Sequence, residues 1–545
     1  MTSTPAGLFQ RQATGLVREA GTWSTLIYNI NFVSIGLMML FVLQLEPAFY
    51  PGGNMLVSYL LALAVVLPTS LVFAMFSAAM PRSGGDYVYV SRILGPRLGM
   101  MSSFINTVWW FIYGGVPSAF FARYGLGPLF RNVGLLSGNE SLVEAGAWFV
   151  TPEGTIITGI LLVAFLVAVF SLGLNVYFRI QNTLFVIAML GLAVIGFVLL
   201  TGSTATFQAN LDRFTGQAGT YQAVIDNATA AGFTEAPFDW YWSLIPITWI
   251  YLELVFNQSS AYIGGEVRHA SRVQLWSMPI TAIVCVAIAM VLTWLFQVTI
   301  GSTFLGAVSW DAGATLGLSS APTFSELAAY LSGSTIVALI AGIGFVFWSY
   351  TWLPGQILNA SRNLLAYGLD GVLPARFAEV NERYHTPVFS LVVVGLGSIA
   401  ALVVYATNAD FTTLTGIVAF IVSFIIVSIA AIAFPYRKPA AWAASPVSWR
   451  WGGLPVISIV GVLSLLALLI TLWVFLNDPL AGVNVLDGFH LKLTGEDGAP
   501  TKDAIRLLIT GVTIVSGLVV FEVARLVRAR RGVRLEVAYE EIPVE

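Results

Sequence analysis

Long apolar runs, each about the length of a membrane crossing, alternate along this chain with short polar connectors. The runs fall near 23–43, 55–80, 98–122, 155–175, 180–201, 242–265, 275–300, 328–352, 387–406, 412–434, 453–476 and 505–526. A bilayer core about 30 Å thick takes roughly 20 apolar helical residues. The runs are longer than ordinary strands and lack period-two alternation, so they predict helices. Lipid favours the same answer, because backbone polar groups there must be satisfied within the segment. The pattern predicts an all-α membrane protein with twelve transmembrane helices.

The most informative connector is Pro81–Pro96, PRSGGDYVYVSRILGP. Neither Pro47–Pro81 before it nor Leu98–Ala122 after it holds an Asp, Glu, Lys or Arg. Gly84 and Gly85 permit a sharp turn, Asp86 can cap a helix, and Gly95-Pro96 ends one. Tyr87, Val88, Tyr89, Val90, Ile93 and Leu94 supply apolar surface. The expectation is a short helix lying in the interface, with Arg92 and Arg97 near the headgroups.

Composition narrows the class. Of 545 residues, 57% are hydrophobic and 10% charged, against roughly 25% charged in soluble proteins. A soluble fold is excluded. On the side of the N-terminus lie 19 of the 25 Lys and Arg residues, with 6 opposite. That asymmetry predicts cytoplasmic N- and C-termini in a multi-pass plasma-membrane protein. The run Arg525, Arg528, Arg530, Arg531, Arg534 reads as a positive-inside stop signal, with anionic-lipid binding as the sharper alternative. His269, His385 and His490 lie outside the spans, and the single cysteine, Cys285, allows no intrachain disulfide. Arg11 and Arg18 precede a span too long for a signal core, which predicts an uncleaved anchor. The loops Arg123–Gly154, Gly202–Asp239 and Asn477–Asp503 read as lids.

The connector resembles the loop after the second helix in the amino acid–polyamine–organocation transporter superfamily. SRNLLAYGLDGVLPARFAEVNERYHTP, Ser361–Pro387, resembles that superfamily's loop after helix eight, with Arg362, Tyr367, Gly368, Asp370, Gly371, Leu373, Pro374 and Thr386-Pro387 in matching places. GGEVRHASR, Gly264–Arg272, resembles its acidic-then-basic stretch after helix six, with Ala270 or Ser271 where a proline is usual. The resemblance implies two inverted five-helix repeats, 23–201 and 242–434, with discontinuous helices 1 and 6. Tails at 1–22 and 527–545, an extracellular loop at 202–241 and two peripheral helices within 435–526 complete it. Trp23-Ser24 and Trp242-Ser243 open corresponding spans, a faint internal echo.

Transporters of this architecture bind substrate near the midplane, where the first helix of each repeat unwinds. Freed amides attract a carboxylate, and freed carbonyls an ammonium or cation. In span one the polar interruption is Asn29, Asn31, Ser34 and Gly36, and Val33-Ser34-Ile35-Gly36 lacks one glycine of the family's Gly-Ser/Thr-Gly run. The competing reading is a continuous helix whose polar residues bond its neighbours. In span six it is Glu253, Asn257, Gln258, Ser259, Ser260 and Gly264-Gly265. The family's Gly-Phe-Glu position falls on Phe256-Asn257-Gln258, so the hinge glycine is absent and the acid is an amide. Glu253 reads as the only acid deep within a span. An ionised carboxylate there costs about 2.5–3.5 kcal/mol. Protonation, a cationic substrate or a bound cation would each relieve that cost, while a neutral Glu bonded between helices is the structural alternative. Trp109, Trp110, Tyr113, Trp348 and Tyr350 are candidate walls or gates.

The substrate-site expectation is thus Asn31, Ser34, Ile35, Gly36, Trp109, Tyr113, Glu253, Phe256, Asn257, Gln258 and Tyr350. For ion coupling it is Ser34, Glu253, Ser349 and Thr351, the last two as hydroxyls to sodium, as in sodium-coupled relatives. Some proton-coupled relatives carry a lysine in helix five; here that position is Ala188. Sodium or a proton remains as coupling ion, with no cofactor or metal centre. An intramembrane enzyme needs a nucleophile–base pair, an acid pair or a metal cluster. The spans hold no histidine and one isolated cysteine, so no enzyme is expected. The favoured function is secondary transport of amino acids or related amines. A polyamine or other organic-cation permease and a transporter-derived sensor are the alternatives. The expected partners are the bilayer and a small molecule, not nucleic acid, and the sequence leaves oligomeric state open.

Overall fold

A computed structural model describes residues 15–312, 316–319, 321–408, 414–495 and 498–540. The first half of the chain runs through α1 (Thr22–Val33), α2 (Ile35–Phe49), α3 (Met55–Ala79), α4 (Gly85–Ile93) and α5 (Pro96–Phe120). A π-helical turn, Phe121–Leu126, carries α5 into α6 (Gly127–Ser137), and α7 (Glu140–Val150), α8 (Pro152–Ser171) and α9 (Leu174–Thr201) follow. Two short helices, α10 (Thr204–Thr215) and α11 (Thr220–Ala230), occupy the long loop before α12 (Trp240–Leu244) and α13 (Ile247–Leu254). Then come α14 (Ala270–Ile300), α15 (Ser302–Ala307), α16 (Phe324–Ser332), α17 (Thr335–Tyr350), α18 (Trp352–Leu369), α19 (Val388–Thr407) and α20 (Thr415–Arg437). A short α21 (Pro439–Ala443), α22 (Val456–Asn477) and α23 (Lys502–Ala529) complete the described helices.

Ten of the described helical stretches are long and apolar enough to cross a membrane, counting Thr22–Phe49 and Thr335–Leu369 as one each. The fold is therefore an all-α, multi-pass membrane protein. The expected third and sixth spans are not among the ten. Pro96–Phe120 has the length but is diluted by serines, glycines and Asn106. The sixth is broken into the short α12 and α13. Outward-facing apolar side chains such as Leu161, Phe197, Leu200 and Leu508 stay exposed, as lipid contact requires. α3 packs on α14, α5 on α19 and α20, and α9 on α17.

The connector corrects its own expectation. α4 forms where the turn and apolar residues place it, but every residue from Gly85 to Ile93 is buried. Arg92 does not reach headgroups. Its guanidinium pairs with Asp370 at 2.8 Å, and Tyr87 bonds the Tyr539 hydroxyl at 2.7 Å. Arg97 stays exposed and pairs with Glu522. Asp86 is no cap: it lies buried, accepting hydrogen bonds from Ser102 and Asn106 at 3.2 and 3.1 Å. Burial pushes its carboxyl up to about 7 despite those donors. On the same face, Arg362 grips Glu266 through two contacts of 2.8 Å, and the Glu266 carbonyl accepts the Glu19 and Ala20 amides. The three family-like loops and both ends of the described chain thus form one cluster.

Candidate functional site

Helix one breaks at a single residue. Ser34 takes φ 49°, ψ 81°, a left-handed conformation that ends α1 and starts α2. Its hydroxyl donates to the Trp348 carbonyl at 2.7 Å and accepts the Leu37 amide at 3.3 Å. The Thr351 hydroxyl reaches the same carbonyl at 3.1 Å. Ile35 and Gly36 are already helical. A Cβ on Gly36 would lie 2.5 Å from the Trp348 Cβ, so this glycine admits the tryptophan. The Trp348 indole donates to the carbonyl of Ala188 at 3.2 Å. Trp348 therefore wedges between helix one and the position where a helix-five lysine would stand.

Span six stops at Leu254. Turns carry the chain through Val255–Gln258 into two 3-10 turns, Ser259–Tyr262 and Gly264–Glu266. Ser260 anchors this irregular stretch. Its amide donates to Asn29 Oδ1 at 2.8 Å, Asn29 Nδ2 returns to its hydroxyl at 2.9 Å, and Gln274 bonds its hydroxyl and carbonyl. Asn29 and Gln274 thus satisfy backbone that a helix would have satisfied itself, as irregular chain at membrane depth demands.

Phe256 sits in an aromatic cluster between the two breaks. It stacks on Phe32 at 4.8 Å and meets Trp352, Phe420 and Tyr113 edge-on at 5.2, 5.5 and 6.3 Å. Trp109 and the Tyr113 hydroxyl close on Gly416 at the start of α20. Trp110 stands edge-on to Tyr262 at 4.4 Å, beside Phe420. Glu253 lies within electrostatic range of Tyr113. It is fully buried, and neither carboxylate oxygen has a hydrogen-bond partner among the described residues. The side-chain oxygens of Asn31 and Asn257 are likewise buried without a partner there. Gln258 is buried at the turn.

Two expected residues stand apart. Tyr350 packs against Phe121 and Phe347, toward the π-helical turn. Ser349 bonds its own Val346 carbonyl and abuts Gly125. α2 runs on to Phe49 and buries Glu46, which accepts the Ser58 hydroxyl at 2.6 Å. Sequence reasoning missed Phe32, Trp352 and Phe420, whose aromatic character is common to every span. It also missed Gln356, Asn359 and Asn363, spaced three and four apart on α18. Asn359 accepts the Tyr28 hydroxyl, Asn363 bonds Ser103 and Thr107, and Gln356 is buried with no partner among the described residues. A polar stripe on an apolar helix was the available signal.

Fold and site define a polytopic helical membrane protein organised around two interrupted spans. Its sequence matches the amino acid permease family over residues 21–485, and the chain belongs to that family, one of transporters rather than enzymes. It is 25% identical over 342 residues to the branched-chain amino acid permease BcaP of Lactococcus lactis subsp. cremoris (strain MG1363). That match covers 61% of this chain and 65% of the relative, just under two thirds of its length.

Proposed function

We propose that this chain is a secondary active transporter, a symporter or exchanger that moves amino acids or related amines across the plasma membrane by alternating access. The observation that carries the reading is the pair of breaks, at Ser34 and after Leu254, facing one aromatic cluster. A substrate carboxylate suits freed amides at the helix ends, and its amine suits Glu253. The apolar cluster and the relative's name support a branched-chain amino acid as the first substrate to test. The uncompensated Glu253 favours a second reading, an organic-cation or polyamine permease.

Twelve spans in a 5+5 inverted repeat, with both termini cytoplasmic, are part of this proposal. Packing supports the repeat: α1 on α14 mirrors α13 on α3, α5 on α8 mirrors α18 on α19, and α5 on α20 mirrors α17 on α9. Coupling to sodium is supported by the Ser34 and Thr351 hydroxyls meeting at the Trp348 carbonyl, and coupling to protons by Glu253.

The test is flux of labelled leucine and putrescine into vesicles holding the purified chain, empty or preloaded with the unlabelled substrate, with sodium or proton gradients imposed separately. Leucine uptake that follows one gradient is expected. Glu253→Gln should flatten its pH dependence or lower preference for cationic over neutral substrate by about tenfold, the equivalent of about 1.4 kcal/mol. Binding with no flux under any gradient would sink transport in favour of a sensor. Unchanged flux of both substrates across mildly acidic to mildly alkaline pH would reduce Glu253 to a structural residue.

A further inference from the structure

A cavity of about 780 Å³ opens beside the start of α14, on the face that carries both ends of the described chain and away from the aromatic cluster. Its lining grades with depth. Arg18, His269 and Arg272 stand at the end of the helices. Leu26 on α1 and Trp276 and Ile280 on α14 lie further in. From Ala270 to Ile280, α14 advances about 15 Å at 1.5 Å per residue, so the apolar part reaches into the hydrocarbon layer. Trp276 is 61% exposed and Ile280 40%, so both face out of the helix bundle.

The charge at the mouth is one-sided. Among the described residues that line the cavity, none is Asp or Glu. The nearby acids are engaged elsewhere: Glu266 holds Arg362, and Glu19 accepts the Asn175 amide at 3.0 Å. No ion pair joins Arg18 or Arg272 to a carboxylate among the described residues. His269, the residue before α14, gives the helix no side-chain cap, so its first amides add to the positive end. Two arginines over an apolar slot that opens outward are complementary to one kind of molecule, an amphiphile with an anionic head.

We propose that this cavity binds an anionic phospholipid, its phosphate held by Arg18, His269 and Arg272 and an acyl chain lying along Leu26, Trp276 and Ile280. The occupant would press on the seam that steadies span six. Ser277 lines the same cavity, and its hydroxyl lies 3.5 Å from Asn29 Nδ2, the side chain that holds Ser260.

The full chain, purified in a neutral detergent, is titrated with dioleoylphosphatidylglycerol or dioleoylphosphatidylcholine while intact-mass spectra count bound lipid. Phosphatidylglycerol should bind well ahead of phosphatidylcholine. Juxtamembrane cations contribute about 1 kcal/mol each, so the double change R18Q/R272Q should weaken the first phosphatidylglycerol by about tenfold or more. R18K/R272K, which keeps the charge, should bind within about threefold of the unaltered chain. Trp276→Ala should weaken both lipids while leaving the preference for the anionic one. A control pair in the C-terminal run, R530Q/R531Q, should change nothing. Equal binding by R18Q/R272Q and the unaltered chain overturns the proposal, as does an equal loss in the control pair. If inorganic phosphate displaces the lipid at matched concentration, the site is one for free anions and the proposal fails.

Discussion

Ser34 occupies backbone space in which a Cβ crowds the following carbonyl oxygen, a cost of roughly 1–2 kcal/mol. What holds it there is its hydroxyl, which bonds the Trp348 carbonyl and the Leu37 amide. The two contributions separate by substitution. Ser34→Ala loses the bonds and keeps the strain, whereas Ser34→Gly loses the bonds and relieves it. The glycine variant should unfold at the higher temperature, by the equivalent of about 1 kcal/mol; equal losses would mean that Ser34 carries no strain. Two residues on, Gly36→Ala places a Cβ 2.5 Å from the Trp348 Cβ and 2.7 Å from its Cγ. These atoms sit at the root of the side chain, so the backbones must part. A stability loss of about 1–3 kcal/mol is expected from such overpacking, partly offset by alanine's helix preference. An unfolding temperature at or above that of the unaltered chain would show that the contact yields freely. The break was legible because Asn29, Asn31, Ser34 and Gly36 interrupt an apolar run. The partner of Ser34 and Gly36 was not, because nothing near Trp348 distinguishes a wedge from ordinary packing.

Among elements, α4 shows how depth escapes a local pattern. Turn glycines, apolar spacing and Gly95-Pro96 state its ends well. Its Arg92 reads as an interfacial cation because most arginines beside spans are. Its acid lies 278 residues away, in the loop after α18, and that loop comes to α4 only in the folded chain. The Glu266–Arg362 pair has the same character, joining the loop after span six to α18 with both side chains buried. Such a pair gains little over an apolar replacement, yet losing one partner leaves a buried charge uncompensated at about 3–5 kcal/mol. Arg362→Gln should therefore lower the unfolding temperature sharply. The double change E266Q/R362Q should recover part of the loss. If the double variant loses the sum of the two single changes, the side chains are not coupled and the pair does not hold these loops together.

Across the whole molecule, the two faces share ion pairs but differ in one network. The face with the termini is held by guanidinium–carboxylate pairs, Arg92–Asp370 and Glu266–Arg362. The opposite face has an ion pair of its own, Arg131–Glu326 at 3.5 Å, and also a network built on a carboxyl and hydroxyls. Asp478, at the end of α22, accepts the Tyr50 hydroxyl and the Leu480 amide at 2.8 and 2.9 Å, and the Thr248 hydroxyl. Trp249 donates in turn to Tyr50 at 2.8 Å. The ends of α2, α13 and α22 are thereby joined with no cation in the network among the described residues. Burial outweighs the three donors and pushes the Asp478 carboxyl from 3.8 up to about 6. A raised carboxyl favours the folded chain most when protonated. Its contribution is full below about pH 4, where the unfolded group is also protonated, and is lost as pH rises through about 6. On the order of 3 kcal/mol separates the ends of that window. Asp478→Asn keeps an uncharged side chain of the same shape between Tyr50 and Thr248 and removes the titration. Its unfolding temperature should fall less than that of the unaltered chain between about pH 4 and 6. An identical slope in the two proteins would place the pH response elsewhere. A flatter slope would make the junction of α2, α13 and α22 around Asp478 a part of the molecule that loosens as pH rises.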